Sequence, residues 1–503
     1  MSNAFKTLVK SLFAVVLFVN TSGIRAQTSA KQTFYAADQD PHRLESFDQD
    51  KQRLARFEKQ ADEFRELLKI PGMSSVIVKD QKVLWAKGFG FADLEKRIPA
   101  TPDTVYHIAS LTKTVAATLI MQMVEQGKLD LDEPMSHYSS DFKDDSVKIK
   151  HLLTHTSDGT PGERYQYNGN RFDYLTAVIE KKTGKPFRAV MVETFLQPLA
   201  MSDSIPGHHV VDEADKWDTL LGKDNLTRYA KALSRLSQPY TLYGDSEIVH
   251  VPYPPKEFFG AAAGLLSTVQ DMAKFDIAID RHQYLKQQTQ ERAWTSFISN
   301  SGQRLPHALG WFVEDYHGIK LIWHFGHWGT GFSAIYLKVP EKNLSLIMLA
   351  NSEALADHQF QVGEIIVGNV FACNFLRLFV FEEAKGRLDC ESNSQTALAK
   401  WRTERRTQAR VPVQLDPKTL AAYVGQYEYE TPPTRIVAVV REGNRLFIDL
   451  PENYKSELFA ESESKFFLKV RPLQLTFVKA EGQITHMEVV GYGQTLRAKR
   501  IKR

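Results

Sequence analysis

Cysteine is nearly absent from this sequence of 503 residues, which contains only Cys373 and Cys390. Neither a disulfide framework nor a cysteine-based metal site follows from so few cysteines. Whether the two residues pair stays open, and two unlinked thiols are at least as good an interpretation. The hydrophobic fraction of 43% and the charged fraction of 24% are those of a globular protein. The length predicts two or three domains.

An excess of charge is missing as well, since 63 basic and 60 acidic residues give a net charge of +3. The first 26 residues have the pattern of a signal peptide: Lys6 and Lys10 precede a short apolar core at residues 12–19, and the small Ala26 offers a cleavage point. This segment holds three basic residues and no acids, so the chain without it is neutral. We therefore expect a secreted or periplasmic protein, with no electrostatic reason to bind nucleic acid.

Apolar runs long enough to cross a membrane are also missing. The apolar core near the N-terminus is too short to span a bilayer. A second apolar stretch, residues 364–383, contains Asn369, Asn374 and Arg377, which are costly in lipid. This stretch predicts a helix that is buried or packed on the protein surface, and we expect no transmembrane anchor.

The remaining pattern divides the chain into a mixed domain and a β-rich module. Residues 27–50 predict an irregular lead-in, and in residues 51–385 strands are followed by helices and then by strands. That order indicates an α+β fold, an antiparallel sheet flanked by helices whose first and last strands are neighbours. The polar, basic residues 386–412 predict a linker, partly helical. Short strands separated by turns predict a small all-β, barrel-like domain at residues 413–503.

One short motif suggests chemistry: Ser110 and Lys113, in "SLTK", begin an apolar helix. Residues three apart lie on one helix face, so the lysine can reach the serine hydroxyl. A desolvated lysine loses its charge and becomes a base that activates a serine nucleophile. The N–H groups of a helix N-terminus can also face an oxyanion. Alone, Ser-x-x-Lys is a weak signal, because a solvated helix face gives the same pattern.

Further stretches in order along about residues 55–375 strengthen this motif. They are "KGFGFADLEKRIPATPDTVYHIASLTK", "IKHLLTHTSDG", "RYQYNGNRFDYLTAVIEKKTGKPF", "GAAAGLLSTVQDMAKF" and "FGHWGTGFSAIYLKVP". Together they resemble the class C serine β-lactamases and their penicillin-binding-protein-like relatives, which include esterases, D-aminopeptidases and D,D-carboxypeptidases. The resemblance implies that Ser110 is acylated, that Lys113 is its partner base, and that neither a metal nor an organic cofactor takes part.

The family's Tyr-x-Asn motif corresponds best to Tyr167, in "YNG". When Tyr167 is aligned with the family's tyrosine, Gly169 replaces the family's asparagine, or Asn168 or Asn170 takes over the role of that asparagine. Nearby positive charge is expected to lower the pKa of the tyrosine and make it a base. Tyr165 is the alternative, and its poorer register to the following helix favours a loop aromatic.

The family's third motif, a lysine or histidine followed at the second position by glycine, corresponds to "HWG" and therefore to His327 and Gly329. The alternative is "HFG", which begins at His324. The resemblance implies that the N–H of Thr330 is an oxyanion donor beside that of Ser110, and that Gly329 lets substrate approach the strand. Histidine is mostly neutral at pH 7, whereas the lysine of true β-lactamases is a cation facing a carboxylate.

These residues predict a secreted serine hydrolase that acts on esters, amides or short peptides, D-amino-acid peptides among them. The substrate partner is a small molecule or a short peptide, and the oligomeric state is not predicted. Two alternatives stay open. One is a D,D-carboxypeptidase or β-lactamase, and the other is a non-catalytic binding or sensor protein on the same scaffold. His151 and His155, in "HLLTHT", are interpreted as residues that order a loop.

Overall fold

The computed structural model describes residues 41–254, 258–329, 331–357, 365–381, 388–430, 435–450, 454–471, 473–491 and 494–502. The predicted signal peptide and Thr330 lie outside these ranges. The chain forms two compact units, residues 1–58 and 59–503. The described part of the first unit is helical and belongs to the helix Pro41–Leu67 (α1). The prediction of an irregular lead-in is therefore wrong for residues 41–50.

An antiparallel sheet of seven strands forms the centre of the second unit. In chain order its strands are Gly72–Lys79 (β1), Lys82–Asp93 (β2), Ile98–Pro99 (β3), Phe312–Tyr316 (β4), Ile319–Trp328 (β5), Phe332–Val339 (β6) and Leu344–Ala350 (β7). Their order in space is β3-β2-β1-β7-β6-β5-β4. The first and last long strands are neighbours, with Val76 opposite Ile347, and this confirms the predicted closure of the sheet.

Helices and short strands surround this sheet. The helices are Thr112–Glu125 (α2), Ile149–Leu153 (α3), Gly169–Asp173 (α4), Leu175–Thr183 (α5), Phe187–Met191 (α6), Ala214–Leu221 (α7), Lys223–Leu233 (α8), Val269–Asp280 (α9) and Gln287–Ala293 (α10). Small strands pair Tyr106–His107 and Ile205–Pro206 with Leu265–Ser267, and Tyr240–Tyr243 with Glu247–His250. The central strands β6 and β7 are buried along their whole length, as expected of strands covered on both faces.

The helix α2 lies inside the core. Eleven of its residues are buried, among them Val115, Ile120 and Met121. A helix that is apolar on all sides is stable only when protein surrounds it. Burial of α2 therefore also takes Lys113 out of water.

The residues expected to form a linker pack against the mixed domain instead. They form the helix Asp389–Gln408 (α12), which follows Val370–Phe379 (α11). Trp401 is buried and its Nε1–H donates to Asp357 at 3.1 Å. Arg405, one turn later on the same face, binds Glu353 at 2.9 Å and Asp357 at 3.1 Å. Since one face of α12 binds two buried carboxylates, this segment is part of the domain rather than a loose connection.

The pairing of the two cysteines is now settled, because Cys373 and Cys390 form a disulfide between α11 and α12. The predicted packed helix at residues 364–383 is confirmed for Val370–Phe379 (α11), in which Phe371, Phe375 and Leu376 are buried, while residues 364, 382 and 383 lie outside the described residues. Within the described ranges, no helix combines the length and the apolar character needed to cross a membrane.

The C-terminal module is a closed antiparallel barrel of eight strands, as its pattern predicts. After the short helix Pro417–Ala421 (α13), the strands are Gly425–Tyr429 (β8), Ile436–Glu442 (β9), Arg445–Leu450 (β10), Tyr454–Ala460 (β11), Lys465–Phe467 (β12), Gln474–Ala480 (β13), Gln483–Gly491 (β14) and Gln494–Lys502 (β15). The first strand pairs with the last, with Tyr427 opposite Arg500. Tyr423, Phe466 and Phe477 fill the interior.

Candidate active site

Ser110 lies in a tight turn, Ala109–Leu111, immediately before α2. The preceding Ala109 has a φ of 49°, a left-handed conformation that costs a non-glycine residue roughly 1–3 kcal/mol. Two hydrogen bonds hold this turn: the Ala109 N–H donates to His107 Nδ1 at 3.1 Å, and the Thr112 hydroxyl donates to the Ala109 carbonyl at 2.8 Å. Ser110 itself is half-buried. The strained turn thus presents its hydroxyl at the edge of the core.

Lys113 is the direct partner of Ser110. Its Nζ donates to the Ser110 hydroxyl and to the Ala262 carbonyl, both at 2.8 Å. The lysine side chain is 1% exposed, and burial lowers its pKa to about 7, although the negative charge of Asp173 opposes this shift. Because its pKa is lowered to about 7, the Lys113 amine is available in the neutral form near pH 7.

Ala262, whose carbonyl binds Lys113, is held in place by Asp173, and the sequence does not predict this contact. The carboxylate of Asp173 accepts a hydrogen bond from the Ala262 N–H at 3.0 Å. Gly260 makes this approach possible, because a Cβ atom there would lie 2.2 Å from Asp173 Oδ1. Burial raises the pKa of Asp173. The stretch "GAAAG" was the one available signal, and it gives no hint of a partner carboxylate 89 residues earlier.

Tyr167 lies beside the same lysine, with Lys113 Nζ 5.3 Å from the centre of its ring. Its hydroxyl is buried and meets no partner with full hydrogen-bond geometry among the described residues. Burial raises its pKa well above the usual value, and the nearby Ser110 hydroxyl only partly opposes this rise. The expectation that positive charge would lower this pKa is therefore wrong. Tyr167 is a neutral phenol at ordinary pH, and Lys113 is the group suited to be the base.

The residues around Tyr167 separate the alternatives left by the sequence. Asn168 caps α4: its side chain accepts from the Arg171 N–H at 3.0 Å and donates to Asp158 at 2.9 Å. Asn170 is exposed, and its side chain makes no hydrogen bond within the described part of the chain. Neither amide therefore binds Lys113. At Gly169 a Cβ atom would lie 3.8 Å from Lys113 Nζ, which places this glycine against the lysine.

Tyr165 lies in the same group of packed rings as Tyr167, since both contact His155 and Phe312. It stacks on His307 at 6.0 Å between ring centres and lies 6.0 Å from Phe312. It is half-buried, and Tyr167 is the tyrosine that contacts Lys113. These contacts favour the register that assigns Tyr167, rather than Tyr165, to the family's motif.

The third motif lies on β5, next to the turn that carries Ser110. His327 is half-buried near the end of the strand, opposite Ser333 of β6. His324 is fully buried, and its Nδ1 binds the Phe325 carbonyl at 2.7 Å, so it has no exposed surface for a substrate. This difference favours the "HWG" register.

A second glycine, Gly326, permits a close approach within the protein, while the expected approach of substrate to Gly329 stays a prediction. Gly329 is exposed, has a φ of 32°, and has no atom within 4 Å of a built Cβ. Gly326, by contrast, lies against the nucleophile turn, since a Cβ there would stand 2.3 Å from the Ile108 carbonyl oxygen. Absence of a side chain at Gly326 therefore lets β5 reach the Ser110 turn. The N–H of Thr330, expected as an oxyanion donor, lies outside the described residues.

Comparison with known proteins identifies the family of this chain. The beta-lactamase family profile matches residues 60–365, more than half of the chain, and this protein therefore belongs to the beta-lactamase family. Its scaffold is that of the serine hydrolases related to β-lactamases and penicillin-binding proteins. The barrel, residues 409–500, matches a domain of unknown function, DUF3471.

Similar proteins include protein flp of Staphylococcus aureus (strain MW2), which is 27% identical over 327 residues. That alignment covers 56% of this chain and 60% of flp, less than two thirds of its length. Penicillin-binding protein 4* of Bacillus subtilis (strain 168) is 20% identical over 79% of this chain and 88% of its own. The octameric penicillin-binding protein homologue from Pyrococcus abyssi shares the fold, with a TM-score of 0.55 at 21% identity over 89% of this chain and 100% of that chain.

Proposed function

We propose that this protein hydrolyses esters, amides or short peptides, D-amino-acid peptides among them, through a covalent acyl-enzyme on Ser110. The observation that carries the proposal is the 2.8 Å contact between Lys113 Nζ and the Ser110 hydroxyl, made by a lysine that is 1% exposed and has a pKa of about 7. A serine hydroxyl needs such a base before it attacks a carbonyl. A non-catalytic binding protein would have no use for a desolvated lysine at this contact.

The reaction follows from the protonation states. Neutral Lys113 takes the proton of Ser110 as the Oγ atom bonds to the substrate carbonyl carbon, and the carbonyl oxygen becomes an oxyanion. The N–H groups of Ser110 and Thr330 are the proposed donors to that oxyanion. When the intermediate collapses, the leaving group departs with a proton from Lys113, relayed by the neutral phenol of Tyr167. Water then attacks the acyl carbon, the same groups carry its proton, and Ser110 is released.

His327 supports a preference for substrates without a carboxylate at the reacting end. This position holds a lysine in true β-lactamases, whereas histidine is mostly neutral at pH 7. The side chain is half-buried on the strand that contacts the Ser110 turn. A D,D-carboxypeptidase or β-lactamase activity is the second candidate, since family membership and the similarity to penicillin-binding protein 4* favour it.

A substrate panel tests the proposal. We expect the purified chain to hydrolyse a short p-nitrophenyl ester or a D-amino-acid p-nitroanilide faster than a chromogenic cephalosporin, and Ser110→Ala to abolish all turnover. Faster cleavage of the cephalosporin would replace the proposed activity with the second candidate. Turnover that survives Ser110→Ala would overturn the acyl-enzyme mechanism.

We also propose that the protein works outside the cytoplasm. The pattern of residues 1–26 supports this location, and so does the disulfide between Cys373 and Cys390, since disulfides persist in oxidising compartments. The expected mature N-terminus, Gln27, is measured by mass spectrometry of the exported protein. An uncleaved chain recovered from the cytoplasm would contradict the proposal.

A further inference from the structure

Three buried histidines surround the lysine and tyrosine of the site, and the proposed mechanism uses none of them. They are His155, His307 and His324, each at most 1% exposed. Burial and the neighbouring Lys113 lower the pKa of all three below the usual value, so all three rings are neutral at ordinary pH. A neutral imidazole has one N–H donor and one bare nitrogen, and its contacts reveal which is which.

His155 holds the backbone on both sides of Tyr167. Its carbonyl accepts the Gln166 N–H at 2.8 Å, and its Nδ1 accepts the Asn168 N–H at 3.2 Å. The imidazole also lies over the phenol, with ring centres 4.3 Å apart and planes inclined by 33°. One residue therefore fixes the chain before Tyr167, the chain after it, and one face of its ring.

The backbone of His155 is itself placed for this task. It follows α3 and has a φ of 53°, a left-handed conformation in which histidine is enriched among non-glycine residues. Its N–H donates to the Leu152 carbonyl at 3.2 Å. Such a conformation persists only where surrounding contacts determine it, and it often marks a functional site. The turn directs the carbonyl and the ring of His155 toward the segment that carries Tyr167.

We propose that His155 is a positioning residue that holds the Tyr167 phenol beside Ser110 and Lys113. This inference rests on the proposed function, in which Tyr167 relays a proton to the leaving group. It extends the expectation that His155 orders a loop, because the loop in question bears a group that takes part in the reaction. His155 acts through its bare Nδ1 and its ring face, and it does not touch the substrate.

The contacts assign tautomers, and these give a test that is independent of activity. His155 Nδ1 accepts a backbone N–H, so its proton is on Nε2. The Nδ1 atoms of His307 and His324 lie 2.7 Å from the Ala308 and Phe325 carbonyls, which only accept, so these two rings carry the proton on Nδ1. In ¹⁵N-labelled protein, NMR of the histidine rings should show His155 as the Nε2–H tautomer and the other two as Nδ1–H. An Nδ1–H tautomer at His155 would overturn the positioning contact.

Two substitutions separate positioning from mere stability. His155→Asn keeps an acceptor near the position of Nδ1 and tolerates the left-handed backbone, so most of kcat on an ester should remain, within about threefold. His155→Leu keeps bulk but removes the acceptor, and kcat should fall by about 10²-fold with KM unchanged, the usual scale for a misplaced proton-transfer group. Melting temperatures monitor the fold. If His155→Asn lowers kcat as much as His155→Leu does, while both variants melt like the parent, the hydrogen-bond acceptor at Nδ1 does not position Tyr167, and the inference is overturned.

A double-mutant cycle identifies the partner. If His155 acts through Tyr167, then His155→Leu should change kcat less than about twofold in a Tyr167→Phe background. An equal loss in both backgrounds would show that His155 acts elsewhere, and would overturn the inference. A parent protein that hydrolyses none of the panel substrates would instead remove the proposed function, while the tautomer of His155 would still decide whether the contact with the Tyr167 segment exists.

Discussion

Lys113 combines a direct contact with Ser110 and nearly complete burial, and in the proposed mechanism its charge decides whether Ser110 can react. Desolvation lowers its pKa, and the carboxylate of Asp173 raises it again in part. The rings of Tyr167 and Phe172 complete its surroundings, at 5.3 and 5.4 Å from Nζ. With a pKa of about 7, Lys113 has both charge states accessible at neutral pH, as a group that takes and returns a proton requires.

The pH dependence of turnover follows from this balance. A base works in its neutral form, so kcat/KM on an uncharged ester should rise with pH through about 7 and level off above it. Asp173→Asn removes the charge that raises the pKa of Lys113, so the midpoint should move to lower pH. Rate profiles from about pH 5 to pH 9 measure both midpoints. A rate that falls as pH rises through neutrality would show that Lys113 is not the base.

Gly169 offers a second test at the residue scale. A Cβ atom there would make an ordinary 3.8 Å contact with Lys113 Nζ, so we expect the side chain of a Gly169→Asn variant to reach the lysine. Its amide oxygen would accept from the ammonium form, which favours the charged state and should move the midpoint of the rate profile to higher pH. Gly169→Ala is the matched control and should leave the midpoint in place. The same shift in both variants would exclude the amide as its cause.

Ser110, Lys113 and Tyr167 were predicted from the sequence because a short motif places the first two on one turn and an ordered set of motifs supplies the third. Asp173 and Gly326 were not, since each acts through a contact with a distant segment. The direction of the Tyr167 pKa shift was predicted wrongly. The positive charge of a nearby lysine predicts a lower pKa for Tyr167, whereas burial of its hydroxyl raises the pKa. Only the packed structure shows how completely that hydroxyl is removed from water.

The strands and the core helix follow from apolar periodicity, and the structure confirms them. The helix α12 is harder to predict, because most of its residues are polar and such a composition is typical of a linker. Its packing depends on Trp401 and Arg405, one turn apart, and on the buried carboxylates of Glu353 and Asp357. Those carboxylates lie some 50 residues before Arg405, so no local sequence pattern predicts that they bind it.

The disulfide is a testable element-scale feature. It closes a loop of 17 residues between α11 and α12, for which chain entropy predicts a stabilisation of about 3 kcal/mol. We expect the double variant Cys373→Ser/Cys390→Ser to unfold at lower denaturant concentration by that amount, and the reduced parent to behave in the same way. Thiol titration of the native protein should find no free thiol until reductant is added. Two free thiols in the exported protein would contradict the pairing.

At the scale of the whole molecule, the barrel contacts the mixed domain at the Tyr240–His250 hairpin. The Tyr243 hydroxyl binds both the N–H and the carbonyl of Arg410, at 2.7 and 2.9 Å, and its ring stacks on Phe467. Lys469 of the barrel binds Glu247 at 2.7 Å. The sequence predicts both domains as separate modules. It does not predict the contacts between them, because these contacts are made by side chains of a hairpin and of the barrel that are far apart in the chain.

Two truncated chains test how the modules depend on each other. A chain that ends at Arg410 keeps α12, so it should fold cooperatively and retain its reaction with active-site probes, with a lower melting temperature. A chain that ends at residue 388 loses Arg405 and leaves Glu353 and Asp357 buried without their cation, which typically costs about 3–5 kcal/mol. It should be unfolded or insoluble. Equal stability of the two chains, measured by thermal denaturation, would contradict the assignment of α12 to the mixed domain.

The most direct test of the central claim is the site of covalent modification. The native chain is treated with a fluorophosphonate, which bonds to activated serine hydroxyls, and the adduct is located by peptide mass spectrometry. We predict one adduct, on the peptide that contains Ser110, and its loss in both Ser110→Ala and Lys113→Met while the two variants melt like the parent. An adduct on another serine, or labelling of Ser110 that persists in Lys113→Met, would contradict the account.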